Sequence, residues 1–89
     1  MKSRDTLSRL KRFQVDEKRR RVAQIEMMIS EFDRMAADLD REIAAEEQKA
    51  GIADPNHFAY PTYARAAAQR RDNLRHSAEN LHIQLDDAK

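Results

Sequence analysis

Val22-Ala-Gln-Ile-Glu-Met-Met-Ile-Ser-Glu-Phe-Asp-Arg-Met-Ala-Ala-Asp-Leu-Asp-Arg-Glu-Ile-Ala-Ala-Glu-Glu-Gln-Lys-Ala50 decides the fold of this 89-residue chain. Its apolar residues fall at Val22, Ile25, Ile29, Phe32, Ala36, Leu39, Ile43 and Ala50, alternating by three and four, with Glu46 in the remaining slot. A repeat of 3.5 residues lies close to the 3.6 of an α-helix. Such a seam therefore stays on one side of a slightly underwound helix and needs a partner helix to cover it.

The chain carries its own partner. From Tyr60 a second seam follows the same spacing through Ala64, Ala67, Arg71, Leu74, Ala78, Leu81, Leu85 and Ala88. Between the seams, Gly51 suits the left-handed residue just past a helix end, against which Ile52 can fold back. Asp54 and Pro55 supply a turn or a new N-cap, with room for one helical turn as far as Ala59. Pro61 is tolerable only if it too lies in a first turn. The predicted fold is all-α: an antiparallel two-helix coiled-coil hairpin whose longer first helix covers about 4–50, with a tip at about 51–60 and a second helix at about 61–89.

Antiparallel closure pairs Ala50 with Tyr60, Glu46 with Ala64, Ile43 with Ala67, Leu39 with Arg71 and Ala36 with Leu74. It continues through Phe32 with Ala78, Ile29 with Leu81, Ile25 with Leu85 and Val22 with Ala88. Large residues mostly face small ones, as close packing at constant helix separation requires. Arg71 is expected to lay its stem along Leu39 and to reach Asp40 or Asp38. Met27, Met28 and Met35 flank the seam and read as core filler. Met1 and Lys2 are expected to fray, with Ser3 or Asp5 capping the first turn. Helix two meets no stop signal in Gln84-Leu-Asp-Asp-Ala-Lys89 and reads as cut in mid-helix.

Composition narrows the function classes. A chain that is 37% charged, with one Gly, two Pro and no Cys, holds a single domain with a thin core and no disulfide or thiolate chemistry. No apolar run spans a membrane and no signal peptide opens the chain, which fits a soluble intracellular adaptor. The formal net charge of +1 conceals segregation. Residues 1–21 hold nine bases against three acids, and residues 26–47 hold eight acids against Arg34 and Arg41. Base first and acid last opposes the helix dipole, so helix stability does not account for the order.

No motif supports catalysis, and no cofactor is expected. The carboxylates of Asp38-Leu-Asp-Arg-Glu42 point different ways on a helix and lack the glycine of a calcium loop. His76 and His82 are six residues apart, the wrong spacing for one face, and His57 lies in the tip. There is no glycine-rich phosphate loop, and no serine stands beside a His and a carboxylate. Two stretches remain as candidate partner-binding sites. One is the basic segment with Arg9, Arg12, Lys18, Arg19, Arg20 and Arg21, which extends beyond the end of helix two. The other is the tip, where Phe58, Tyr60 and Tyr63 surround Pro61. The bland alternatives are a solvated basic face, and a tip in which Tyr60 closes the last layer while Phe58 folds under the loop. An acidic protein surface suits the basic segment better than nucleic acid, because Phe13 is its only interleaved aromatic and no dimerising zipper follows it. A nucleic-acid-binding coiled coil and a generic coiled-coil spacer are the rival readings.

The segments Arg4-Asp-Thr-Leu-Ser-Arg-Leu-Lys-Arg-Phe13, Asp16-Glu-Lys-Arg-Arg-Arg21, Phe58-Ala-Tyr-Pro-Thr-Tyr63 and Gln69-Arg-Arg-Asp-Asn-Leu74 together resemble the flagellar export protein FliJ family. The similarity runs over essentially the whole chain, and its specific parts are the tip and the basic run. The resemblance implies a non-enzymatic stalk that sits in the ring of the flagellar type III export ATPase and links it to the membrane export gate or to export chaperones. It implies a location at the cytoplasmic face of the flagellar base. In that family the end bearing the termini enters the ring, which would assign Arg9, Arg12 and the run Lys18-Arg-Arg-Arg21 to ATPase contacts. Family members continue helix two for many more turns than this sequence does.

Overall fold

In a computed structural model residues 2–89 are described, with side chains from residue 3; Met1 lies outside the described residues. Helix α1 runs Lys2–Ala50 and α2 runs Thr62–Ala88. They fold back on one another as an antiparallel hairpin measuring 76 × 17 × 13 Å. The length is that of α1 itself, about 73 Å at 1.5 Å per residue. Nothing breaks α1 because its sequence is rich in Arg, Glu, Ala, Met, Leu and Lys and has no Pro or Gly before Gly51.

The end of α1 is a Schellman turn. Gly51 adopts φ 70°, its N–H donates to the carbonyls of Glu47 (2.9 Å) and Gln48 (3.3 Å), and the Ile52 N–H donates to Glu47 O (3.3 Å). A positive φ is costly for a residue with a Cβ, so glycine fits here for its backbone alone. Ile52 then packs against the core, as the sequence suggested. Ala50, paired with Tyr60 in the expected layers, is instead exposed. The turn swings Ile52 over that end of the seam.

In place of a helical turn, the tip makes two successive tight turns. His57 N–H donates to Asp54 O (3.0 Å) and Tyr60 N–H to His57 O (3.1 Å). The Asp54 carboxylate accepts the Asn56 N–H (2.9 Å), and His57 Nδ1 accepts the Ala59 N–H (3.0 Å). These side chains satisfy backbone donors that a helical turn would leave open. Pro61 stands at the N-cap with extended ψ of 128°, one place before the first turn it was expected to occupy.

The core is two apolar clusters strung along the hairpin. Near the tip lie Leu39, Ile43, Tyr60, Ala64 and Ala67, with Ile52, Ala68 and Leu74 packed against them. Near the open end lie Ile25, Ile29, Leu81 and Leu85, supported by Val22, Phe32 and Ala88. Between them Ala36 and Ala78 are buried, but their methyl side chains join neither cluster. Each cluster joins residues that the predicted register placed opposite one another. Met27 and Met28 are exposed and only Met35 is half-buried, so the methionines are not the filler expected of them. They lie outside the seam positions that α2 covers, and a two-helix rod has no third element to cover them.

Candidate partner-binding surfaces

Packing stops at Val22. Every residue from 3 to 21 is exposed, so α1 projects past the open end of the hairpin as a lone helix carrying Arg9, Arg12, Lys18, Arg19, Arg20 and Arg21. Arg20 pairs with Glu17 one turn away. Leu7, Leu10, Phe13 and Val15 are also exposed on this prong. In the seam's backward extrapolation Val15 is apolar, but Lys11 and Lys18 take the slots that Ile25, Phe32 and Leu39 hold along the covered part. α2 ends at Ala88, level with Val22, so no second helix lies along the prong.

At the opposite end the three tip aromatics separate. Tyr60 is buried, and its hydroxyl donates to Glu47 Oε2 (2.8 Å) while the Arg65 guanidinium lies 5.4 Å from its ring centre. Tyr60 is thus a core residue and does not belong to an exposed aromatic surface. Tyr63 lies on the flank of α2, where its hydroxyl donates to Glu42 Oε2 (2.9 Å). Phe58 is 96% exposed and, rather than folding under the loop, stacks on His57 with centroids 4.7 Å apart. The tip presents one aromatic pair, His57 with Phe58.

The acids of α1 are answered unevenly. Arg34 pairs with Glu31 (2.5 Å) and Asp38 (3.2 Å), and Arg41 also pairs with Asp38. Lys49 lies 3.7 Å from Glu46. Across the hairpin, Arg71 reaches Asp40 (3.0 Å) with Arg75 on its other oxygen, one of the two acceptors foreseen for it. Hydrogen bonding by Arg34 holds the Glu31 carboxyl below the usual range, and Glu31 in turn raises the Arg34 guanidinium. The bond to Asp40 likewise raises Arg71. Among the described residues, Glu26 and Asp33 have no ion-pair partner. Both line an open groove of about 320 Å³ between the helices, floored by Ile29 and Leu85 and edged by His82. It meets, at Glu26, a second and mostly apolar groove of about 470 Å³ bounded by Val15, Val22 and Ala23 and by Lys18, Arg19 and Lys89.

The tyrosine bonds were not legible in sequence. Each needs a register accurate to one residue and a side chain long enough to cross to α1. Both have a consequence in pH. Donating to a carboxylate favours the neutral phenol, so Tyr60 and Tyr63 are raised above the ordinary value of 10.0. A raised folded value means that the stabilisation is complete below the unfolded pKa and is lost as pH climbs through the folded one. Ultraviolet absorbance titration should show both phenols ionising later than free tyrosine, and Glu42→Ala with Glu47→Ala should move them back toward it, incompletely because burial also raises them. Ordinary titration in the unsubstituted protein would mean that the two bonds are not formed.

Among the described residues, no group of three His, Cys, Asp or Glu is placed to hold a metal, and no helix is long and apolar enough to cross a membrane. What the surfaces offer is shape and charge: a rod with a basic prong at one end and a small aromatic knob at the other. Comparison with family models, curated proteins and solved structures returns no match for the chain.

Proposed function

We propose that this chain is a non-enzymatic stalk or coupling subunit of flagellar type III protein export, acting through a stiff hairpin whose basic prong seats in an acidic opening of the export ATPase ring. The observation that carries this reading is the exposed prong of residues 3–21, which α2 does not cover and six of whose bases fall at Arg9, Arg12, Lys18, Arg19, Arg20 and Arg21. The sequence resemblance to the FliJ family supplies the system in which such a rod works. A rigid helix transmits position, and clustered charge sets encounter rate and orientation more than raw affinity. The opposite end, with His57 and Phe58, would meet the export gate or a chaperone.

Replacing Lys18, Arg19, Arg20 and Arg21 by Glu should abolish binding to the export ATPase, measured by interferometry on the purified proteins, and leave helicity unchanged by circular dichroism. The four side chains are exposed, so the hairpin core does not depend on them. Unaltered affinity would remove the electrostatic basis of the reading. A gel-shift at physiological salt serves the rival: salt-sensitive retention of nucleic acid by the unsubstituted protein, with none of the ATPase, would favour a nucleic-acid binder.

A further inference from the structure

The two grooves form one trough along a single flank of α1, and its charge changes sign along its length. Arg12, Arg19, Glu26 and Asp33 follow one another at seven-residue intervals, so they share that side of the helix. The first two stand on the free prong and the last two line the trough beside α2. Positions 12 and 33 are equidistant from the point between Val22 and Ala23, and so are 19 and 26. At 1.5 Å per residue these distances are about 16 Å and about 5 Å along the axis.

We infer that the trough is a self-association surface, occupied by the prong of a second copy of this chain lying antiparallel across a two-fold axis at Val22 and Ala23. A two-fold contact is isologous, and one helix with this pattern meets its own complement when reversed. Arg12 and Arg19 of each copy then face Asp33 and Glu26 of the other, the two acids that line the trough, neither of which has an ion-pair partner among the described residues. Val15, exposed on the lone prong, falls level with Ser30 and beside the Ile29 and Leu85 floor. Ala23 lets the helices approach closely at the axis. Prong against prong in the same direction would instead oppose bases to bases. The contact uses the bases proposed to meet the ATPase, so the two associations compete, but it requires no ATPase to form.

The test needs no partner protein: light scattering after size exclusion on the purified full chain, with sedimentation equilibrium for the dissociation constant. The unsubstituted chain should dimerise reversibly and more weakly as salt rises. Arg12→Glu with Arg19→Glu, and separately Glu26→Arg with Asp33→Arg, should each weaken dimerisation by at least about tenfold, since each sets like charges against one another. An equimolar mixture of the two variants should recover it, because each then presents the complement of the other. All four side chains are exposed, and circular dichroism verifies that the hairpins are intact. A monomer under all conditions, variants that dimerise like the parent, or a mixture that stays monomeric would each overturn the inference. As a geometric check, Ala23→Cys, the only thiol in a chain without cysteine, should form a disulfide-linked dimer on mild oxidation whereas Phe58→Cys should not.

Discussion

Ile43→Ala should lower the stability of the hairpin by about 3 kcal/mol, the usual cost of emptying a buried branched side chain. For a domain of this size that corresponds to a fall of roughly 15 °C in the thermal midpoint. Ile43 is buried in the tip cluster with Leu39, Tyr60, Ala64 and Ala67. Two of these neighbours are alanines, and Ala64 has no exposed surface at all, so no flexible side chain from α2 can swing into the void. The helices could narrow the gap only by bending, which the continuous backbone of α1 resists. Phe58→Ala is the control: a side chain that is 96% exposed should change the midpoint by less than the error of the measurement. If both variants melted together, the tip cluster would not be the core described.

Arg71→Leu should move stability the other way. Arg71 occupies a seam slot between Ala67 and Leu74, retains 23% side-chain exposure, and spends its guanidinium on Asp40 and Asp72. Replacing a partly buried ion pair by an apolar side chain of similar reach is often neutral or stabilising, by roughly 1 to 4 kcal/mol in buried cases. The lower end, about 1 kcal/mol, applies to this half-solvated site. Asp40 does not become an orphan, because Arg75 remains on its other oxygen. Asp40→Ala should destabilise instead, since both arginines lose their acceptor across the hairpin. Thermal melts of the two variants separate the cases, and a destabilised Arg71→Leu would mean that the pair contributes more than its desolvation costs.

The same contrast explains what could be read from sequence. The two seams, their register and the glycine that ends α1 were legible because each follows from the backbone: a 3.5-residue repeat, a loop of fixed length and a positive φ. Arg71 on Asp40 was legible because a long cation in an apolar slot has few acceptors within reach. The tip was not. Whether Asp54-Pro55 opens a helix or a pair of turns depends on which side chain takes the nearby N–H groups, and Asp54 and His57 took them. The exposure of Met27 and Met28 escaped notice for a different reason, which also decides between the two readings open for Phe58 in favour of exposure. An apolar residue predicts burial only where another element arrives to cover it, and two helices cannot cover the whole circumference of either. The basic segment was identified from its composition, whereas the alignment of Glu26 and Asp33 along a trough required the second helix to be in place.

The arrangement of the core as two separate clusters also sets the order in which the hairpin closes. Ile43 and Ala64, in the cluster by the bend, are 21 residues apart in the chain, and Ile25 and Leu85, in the other, are 60 apart. Joining the distant pair first would cost about 1 kcal/mol more in chain entropy. Zippering therefore starts at Gly51 and advances toward Val22, and a force applied to the two ends should peel the hairpin in the reverse sequence. Optical tweezers would register two yields, one for each cluster, with little resistance between them where Ala36 and Ala78 leave little to grip.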